Sequence, residues 1–287
     1  MKVVMTLLVR DEEDILRENL DYHLANGVDE IILMDNLSSD ATADIAREYE
    51  RAGSLHYLFQ SQDDYAQGRW VTQMVARAVH DYGADWVINS DADEFWWPHE
   101  GSIKDALASI EADTVAISAK RANFVPRPEN GEPFWRRMDT RRRVSLNIHG
   151  YPLPTKVAHR ALNDVEVEQG NHCIFVSGRQ APCVPGPFTI LHFPVRTRAQ
   201  FRNKIAKGGA AYARNTELDQ TVGDTWRHLY QMYLDGRLDE AYDDELLAEG
   251  AIADGLATGS LVRDDRLTRA LDTLYDEPRV AYVGAFR

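Results

Sequence analysis

The feature that most constrains this chain is the regular alternation of short apolar runs with amphipathic stretches through its first 97 residues. Residues 3–9 form a run of strand length that is apolar except for Thr6. Ile15, Leu16, Leu20, His23 and Leu24 then recur at helical spacing behind an acidic turn that suits a helix N-terminus, and Gly27 ends that helix. Residues 30–34 predict a second strand. Asp40 is placed to cap a helix through Tyr49 that Gly53 closes, and residues 55–59 predict a third strand. Trp70, Met74, Ala78 and Val79 mark a third helix, and residues 86–89 a fourth strand. Such alternation predicts an α/β fold, a mainly parallel sheet flanked by helices and joined by right-handed crossovers. Ligands on sheets of this kind sit beyond the carboxyl ends of the strands.

Past Pro98 the pattern loosens. A helix is expected at 103–110 and a strand at 114–119, with short strand-like pieces around Val144, Val157, Val165 and Ile174 and a last apolar strand at 188–193. Thr197 and Gln200 have capping-box spacing, and helical segments follow at 226–234 and 261–274. The division expected is one domain over 1–214, in two halves at 1–97 and 98–214, followed by a C-terminal helical extension over 215–287. A length of 287 residues suits one large core with such an appendage. No run approaches the length of a membrane-spanning helix, and the apolar start reads as a buried strand, being too short for a signal segment. The two cysteines, Cys173 and Cys183, lack CxxC spacing, which argues for a reducing, cytoplasmic setting and against a thiolate zinc site.

A formal net charge of −14 argues against nucleic acid as a partner, because phosphate backbones need a basic footprint. Two local stretches run the other way: Arg136, Arg137, Arg141, Arg142 and Arg143, and then Arg196, Arg198, Arg202, Lys204 and Lys207. Each reads either as a solvated face or as a site for an anionic group.

Chemistry concentrates where strands end. Asp91 and Asp93 in Asn89-Ser90-Asp91-Ala92-Asp93-Glu94 follow the fourth strand, and residues two apart in extended backbone point the same way. The pair therefore reads as a site for Mg2+ or Mn2+, or as an acidic loop that merely ends a strand. Asp35-Asn36-Leu37-Ser38-Ser39-Asp40 and Arg10-Asp11-Glu12 follow the second and first strands at the same edge. His192, after the last strand, reads as a metal ligand or as a core histidine. Lys204 and Arg202 read as anion contacts or solvated helix charges. Trp96 and Trp97 read as a stacking platform for a ligand or as core.

Taken in order, these segments resemble the family 2-like glycosyltransferases of the GT-A fold. The matching pieces are Leu8-Val9-Arg10-Asp11-Glu12-Glu13, Asp35-Asn36-Leu37-Ser38-Ser39-Asp40, Gln67-Gly68-Arg69-Trp70 with Met74, and Asp91-Ala92-Asp93-Glu94-Phe95. Gly170-Asn171-His172 and Leu191-His192-Phe193, leading to Phe201 and Lys204, complete the set over about residues 1–210. The resemblance implies transfer of a sugar from a nucleotide diphosphate donor, a UDP-sugar by preference, to a saccharide or other hydroxyl acceptor, with inversion. It implies that Arg10 and Asp35 border the base, that Arg69 lies near the phosphates or ribose, and that Asp91 and Asp93 form the metal site. Members usually carry Asn where this chain has Asp11, and the C-terminal helices lie outside the resemblance.

A general base for such a reaction must reach the acceptor hydroxyl on the face opposite the leaving diphosphate. Asp164, Glu166, Glu168, His159 and His172 lie in the right part of the chain. His172, after Gly170-Asn171, is the first choice, since a tight loop there could carry it into the cleft, and Glu168 is the second. Two other classes compete: a sugar-nucleotidyltransferase, against which the acidic Arg10-Asp11-Glu12-Glu13-Asp14 argues, and a scaffold that binds sugar nucleotides without turnover.

Overall fold

The computed structural model of the protein describes residues 1–219 and 222–276. In chain order its elements are β1 (Val3–Val9), α1 (Leu16–Ala25), β2 (Glu30–Asp35), α2 (Thr42–Ala52), β3 (Leu55–Phe59), α3 (Gln67–His80), β4 (Trp86–Asp91) and β5 (Glu94–Pro98). Then come α4 (Ile103–Ala108), β6 (Ala116–Asn123), α5 (Phe134–Arg137), β7 (Thr140–Arg142), β8 (Lys156–Arg160), β9 (Val165–Val167), β10 (Ile174–Val176), β11 (Arg179–Gln180) and β12 (Cys183–His192). The chain closes with α6 (Arg198–Arg214), α7 (Asp224–Leu234), α8 (Leu238–Glu245), α9 (Glu249–Thr258), β13 (Leu261–Arg263) and α10 (Arg266–Asp276).

An eight-stranded sheet in the order β3-β2-β1-β4-β8-β6-β12-β5 forms the centre. The pairings β3–β2, β2–β1, β1–β4 and β6–β12 are parallel, while β8 runs antiparallel between β4 and β6, and β5 antiparallel beside β12. Six strands therefore share one direction and two oppose it, which is the mainly parallel α/β architecture expected. The sheet runs unbroken across residues 97 and 98, so the two expected halves share it.

Both faces of the sheet are covered, as parallel strands require. Along β1, Val3, Met5, Leu7 and Val9 face a core shared with Leu16, Leu20 and Tyr22 of α1 and Ala46 of α2. Val4 faces the other side with Trp70, Val71 and Met74 of α3 and Val165, Val167 and Ile174 of the small β9–β10–β11 sheet.

Several local expectations are corrected. Asp40 precedes the helix by one more position than expected: the N-cap of α2 is Ala41, while the Asp40 carboxylate accepts the Thr42 N–H at 2.9 Å. Residues 94–98, for which no strand was expected, form β5. Val144 lies in an exposed hairpin rather than a strand, and the segment 261–274 is a strand followed by a helix. The helices α8 and α9, unforeseen, are short and carry few buried residues, so no strong apolar stripe marks them.

The C-terminal segment docks on the core. β13 pairs antiparallel with β7, and Leu267 and Leu271 of α10 are buried in the same cluster as β1 and α1. The arginine-rich stretch does the clamping. Arg136 donates to Asp272 at 2.6 Å, Arg141 to Asp264 at 2.6 Å, Arg142 to Glu245 at 2.9 Å and Arg143 to the Gly259 carbonyl. Its members are committed to partners, so it is not a free anion site, although Arg136 and Arg143 remain exposed. Residues 277–287 of the expected extension lie outside the described residues.

One contact of α1 fixes the turn that follows β4. Asn19 Nδ2 donates to the carbonyls of Ala92 (2.9 Å) and Glu94 (2.8 Å), and the Trp96 N–H donates to His23 Nε2 at 3.1 Å. His23 Nε2 is therefore unprotonated, and its Nδ1–H donates to the Asn19 carbonyl at 2.8 Å. Burial pushes the His23 pKa down to about 4. The unfolded chain thus binds one more proton here between about pH 6.5 and pH 4, so this stabilisation is complete above that range and is lost as pH falls through it. In His23→Leu, the slope of unfolding free energy against pH between 4 and 6.5 should fall by up to about 1.4 kcal/mol per pH unit relative to the parent. Urea titrations across that range measure it, and parallel curves for the two proteins would refute the assignment.

Candidate active site

The topology sends chemistry to one edge. The six co-directional strands bring their carboxyl ends there, and the two opposed strands bring their amino ends. Asp91 from β4, Asn123 from β6 and His192 from β12 therefore meet Lys156 at the start of β8 and Glu94 at the start of β5.

Asp93 lies at the centre of one half of the edge, 3% exposed. Its Oδ2 accepts from Lys204 Nζ of α6 at 2.5 Å, and its Oδ1 lies 3.6 Å from His192 Nε2. Burial alone would raise its pKa, but the facing Lys204 ammonium holds it well below the usual carboxylate range. His192 Nδ1 lies 2.7 Å from Asn123 Oδ1. With Nδ1–H donating to that oxygen, the Nε2 lone pair turns toward Asp93, and burial keeps the ring neutral by moving its pKa down to about 4. A neutral imidazole oriented by a second hydrogen bond beside an ionised carboxylate is a donor set that fits a divalent cation such as Mn2+ or Mg2+. Among the described residues no cluster of three or more His, Cys, Asp or Glu side chains forms a complete cage. Such ions usually take their remaining ligands from water and substrate phosphates.

Behind Asp93 lies Arg196, fully buried. It donates to Glu12 at 2.6 Å, to both oxygens of Asp14 at 2.7 and 2.8 Å and to the Phe193 carbonyl at 3.0 Å. Lys204 Nζ lies 3.8 Å from Glu12 as well, so two cations are interleaved with Glu12, Asp14 and Asp93. Burial would lower the pKa of each cation, yet the facing carboxylates raise it, so both stay charged.

Asp91 lies in the other half, with partners distinct from those of Asp93. Its Oδ2 pairs with the buried Lys156 ammonium, and its Oδ1 accepts from Gln67 Nε2 at 3.1 Å and Asn171 Nδ2 at 3.4 Å. Lys156 Nζ also lies 3.2 Å from Glu94, whose pKa burial raises to about 7 despite that ammonium. Gln67 Oε1 accepts the Gly170 N–H at 3.1 Å, tying the start of α3 to the 169–172 loop. Both glycines here answer to space: a Cβ on Gly68 would lie 2.7 Å from the Val167 carbonyl. One on Gly170, at φ +85°, would lie 2.5 Å from His172 Nε2.

His172 is packed into this half. Its Nδ1 donates to the Thr155 carbonyl at 2.8 Å, and burial with the nearby Lys156 charge takes its pKa down to about 4. Glu168 is exposed beside the small sheet, where its carboxylate accepts from Cys173 Sγ at 3.2 Å.

The ends of β1 and β2 form the third part. Asp35 is buried, its carboxylate accepting the Ser38 N–H at 2.9 Å and the Tyr57 hydroxyl at 2.8 Å. Arg10 donates to Asp63 at 2.5 Å, and Arg214 at the end of α6 meets the same carboxylate at 2.5 Å. Asp11, at φ 52°, accepts from the Ser39 N–H at 2.7 Å, Asn203 at 2.9 Å and Lys207. Arg69 reaches Gln62 at 3.2 Å and Asp64 at 3.3 Å.

Of the residues singled out from sequence, Asp93, His192 and Lys204 stand together. Asp91 and His172 share the adjoining half, and Arg10, Asp35 and Arg69 hold the β1–β2 side. Glu168 stands apart, on the surface. Trp96 is fully buried, and Trp97 stacks on Tyr22 at 5.5 Å beneath Arg266, so both belong to the core and its cover. Arg202 lies over Tyr233 at 5.3 Å. Sequence reasoning gave no role to Lys156, Asn123 or the Gln67–Asn171 pair. Lys156 did leave a signal, a single charge opening the apolar run Val157-Ala158. Asn123 left none, since only strand register brings it to His192.

Comparison with known proteins gives a family. The model of glycosyl transferase family 2 matches residues 3–169, more than half of the chain. No curated relative matches. Among solved structures, S. aureus TarS 1–349 in complex with UDP-GlcNAc is similar at 14% identity and a TM-score of 0.45, with 82% of this chain and 73% of that one covered. Glucosyl-3-phosphoglycerate synthase from Mycobacterium tuberculosis, in complex with Mn2+, UDP and phosphoglyceric acid, aligns at 17% identity and a TM-score of 0.39 over 77% and 81%.

The buried ion cluster yields a direct expectation. Arg196→Met leaves Glu12 and Asp14 without their principal cation, and breaking a buried pair in this way costs about 3–5 kcal/mol. Urea denaturation should show that loss as a lower midpoint at unchanged slope. A change below about 1 kcal/mol would remove Arg196 from this structural role.

Proposed function

Because the chain belongs to glycosyl transferase family 2, we propose that it moves a sugar from a nucleotide diphosphate donor to a hydroxyl acceptor at this sheet edge, with inversion at the anomeric carbon. The observation that carries the reading is the pairing of an ionised Asp93 with a neutral, oriented His192 beside the Lys204 ammonium. In this reading Asp93 and His192 hold Mn2+ or Mg2+. When bound there, the ion supplies Lewis-acid stabilisation of the departing diphosphate. Lys204 is released from Asp93 toward the diphosphate, adding a second positive charge where negative charge develops.

Asp91, held by Lys156, Gln67 and Asn171, serves the donor as a fixed hydrogen-bond acceptor. Its orientation supports that role better than a third place on the metal. Arg10 and Asp35 border the nucleoside, with Asp35 oriented by Ser38 and Tyr57, and Arg69 approaches the ribose or phosphates. The family and the UDP named in both similar structures favour a UDP-sugar, and the acceptor is a saccharide or another hydroxyl compound.

Metal-dependent binding tests the centre of the reading. Asp93→Ala and His192→Ala should each weaken UDP binding in the presence of Mn2+ by about 100-fold or more, while unfolding stays cooperative. Calorimetry with UDP, with and without Mn2+, measures this. Unchanged affinity in both variants would sink the metal assignment.

The base is assigned to His172, with Glu168 as second choice. His172 shares its half of the edge with Asp91, and its Nδ1 is committed to Thr155, so a neutral ring leaves Nε2 as the proton acceptor. Loss of a general base reduces turnover about 100-fold or more. His172→Ala should show that loss with donor affinity retained, and Glu168→Ala should stay near the parent rate. The reverse pattern in a transfer assay would move the role to Glu168.

A further inference from the structure

Eight large hydrophobic side chains are exposed among the described residues, and four of them, Val144, Leu146, Ile148 and Tyr151, fall within one short hairpin between β7 and β8. Pro152 and Pro154 are exposed beside them. Concentrations of this kind mark interaction sites, whereas scattered exposed apolar residues do not.

The hairpin is built, not slack. Asn147 N–H donates to the Tyr151 carbonyl at 2.8 Å, and Asn147 Oδ1 accepts the N–H groups of His149 and Tyr151, each at 3.0 Å. Leu153 N–H donates to the Ser145 carbonyl at 2.9 Å, and His149 Nε2 lies 2.5 Å from Asp224 of α7. The backbone polar groups are thus turned inward and the apolar side chains outward.

Both legs end on the sheet edge described above. On the first, Ser145 Oγ accepts the Asn123 N–H at 2.8 Å, and Asn123 in turn orients His192. On the second, Thr155 accepts from His172, and the next residue is Lys156, the partner of Asp91. Residues 140–163 include no Asp or Glu, although the chain has 46, so no carboxylate of this segment needs desolvation beside an apolar group.

We propose that hairpin 144–151 is the docking surface for the acceptor, and that the acceptor is an amphiphile. Its hydroxyl-bearing head enters the edge between His192 and His172, and its apolar chain lies along Val144, Leu146, Ile148 and Tyr151. The inference rests on reading that edge as a sugar-transfer site. Preorganisation explains the built turn, since an already ordered surface loses little further freedom when the chain docks.

Methyl, hexyl and octyl β-D-glucoside, each below its micelle concentration, probe the surface by calorimetry with the full chain. Affinity should rise with chain length by about three- to fourfold per methylene that becomes buried. Leu146→Ser/Ile148→Ser should lose at least about tenfold for octyl glucoside while keeping parental affinity for UDP with Mn2+. Affinity independent of chain length, or octyl affinity equal in parent and double variant, would overturn the proposal. So would light scattering that shows a dimer of the parent dissociating in the double variant, because the surface would then belong to a second copy. UDP with Mn2+ failing to bind the parent itself would count against the transfer reading, an outcome separate from any of these.

Discussion

The site depends on a positive charge that cannot reach water. Arg196 is fully buried between the end of β1 and the start of α6, and its guanidinium spans Glu12, Asp14 and the Phe193 carbonyl. Replacing the whole group with apolar residues could serve stability equally well, so burial of ions at such a position has to be understood through geometry. The guanidinium holds the strand end that carries Glu12 against the segment that carries Phe193. The Phe193 N–H in turn donates to the Asp93 carbonyl at 2.9 Å. The Asp93 backbone, the His192 ring and the α6 lysines are therefore referred to one fixed point.

Much of this edge was legible in the sequence because a parallel sheet leaves a strong local trace. Apolar runs at 3–9, 30–34, 55–59 and 86–89, each followed by polar residues, fix both the strands and the edge where ligands gather. Asp93 and His192 could be chosen from their places at strand ends, and Lys204 from the resemblance, on the helix that follows the last strand. What stayed hidden depends on pairing between distant strands. Asn123 becomes the partner of His192 only through the β6–β12 register, and Lys156 reaches Asp91 because β8 runs against its neighbours. The spacing of Asp91 and Asp93 suggested convergence. The chain turns after β4, and the two carboxylates go to separate lysines.

The arginine-rich stretch shows the opposite limit. Its density suggested an anion site, yet its members hold Asp272, Asp264, Glu245 and a helix-end carbonyl, which fastens the C-terminal segment. Individually, a pair as exposed as Arg136–Asp272 contributes little, so the docking energy comes mainly from apolar contacts, those of Leu267 and Leu271 in one cluster and of Ile252 and Leu261 in another. The arginines choose where that energy is used. Composition could count these charges, but only the fold could say that their partners lie more than 100 residues downstream.

The ion cluster around Arg196 joins residues far apart in the chain, 184 positions in the case of Glu12. During synthesis, Glu12, Asp14 and Asp93 leave the ribosome long before Arg196 and Lys204 exist to balance them. The N-terminal strands and helices emerge with acidic groups that they cannot bury alone, and the helix bearing the lysines completes the site last. A nascent chain therefore carries this sheet edge open and hydrated until about residue 204 has been added. Maturation of the edge is in this sense timed by translation: no truncated product that stops before α6 can assemble it.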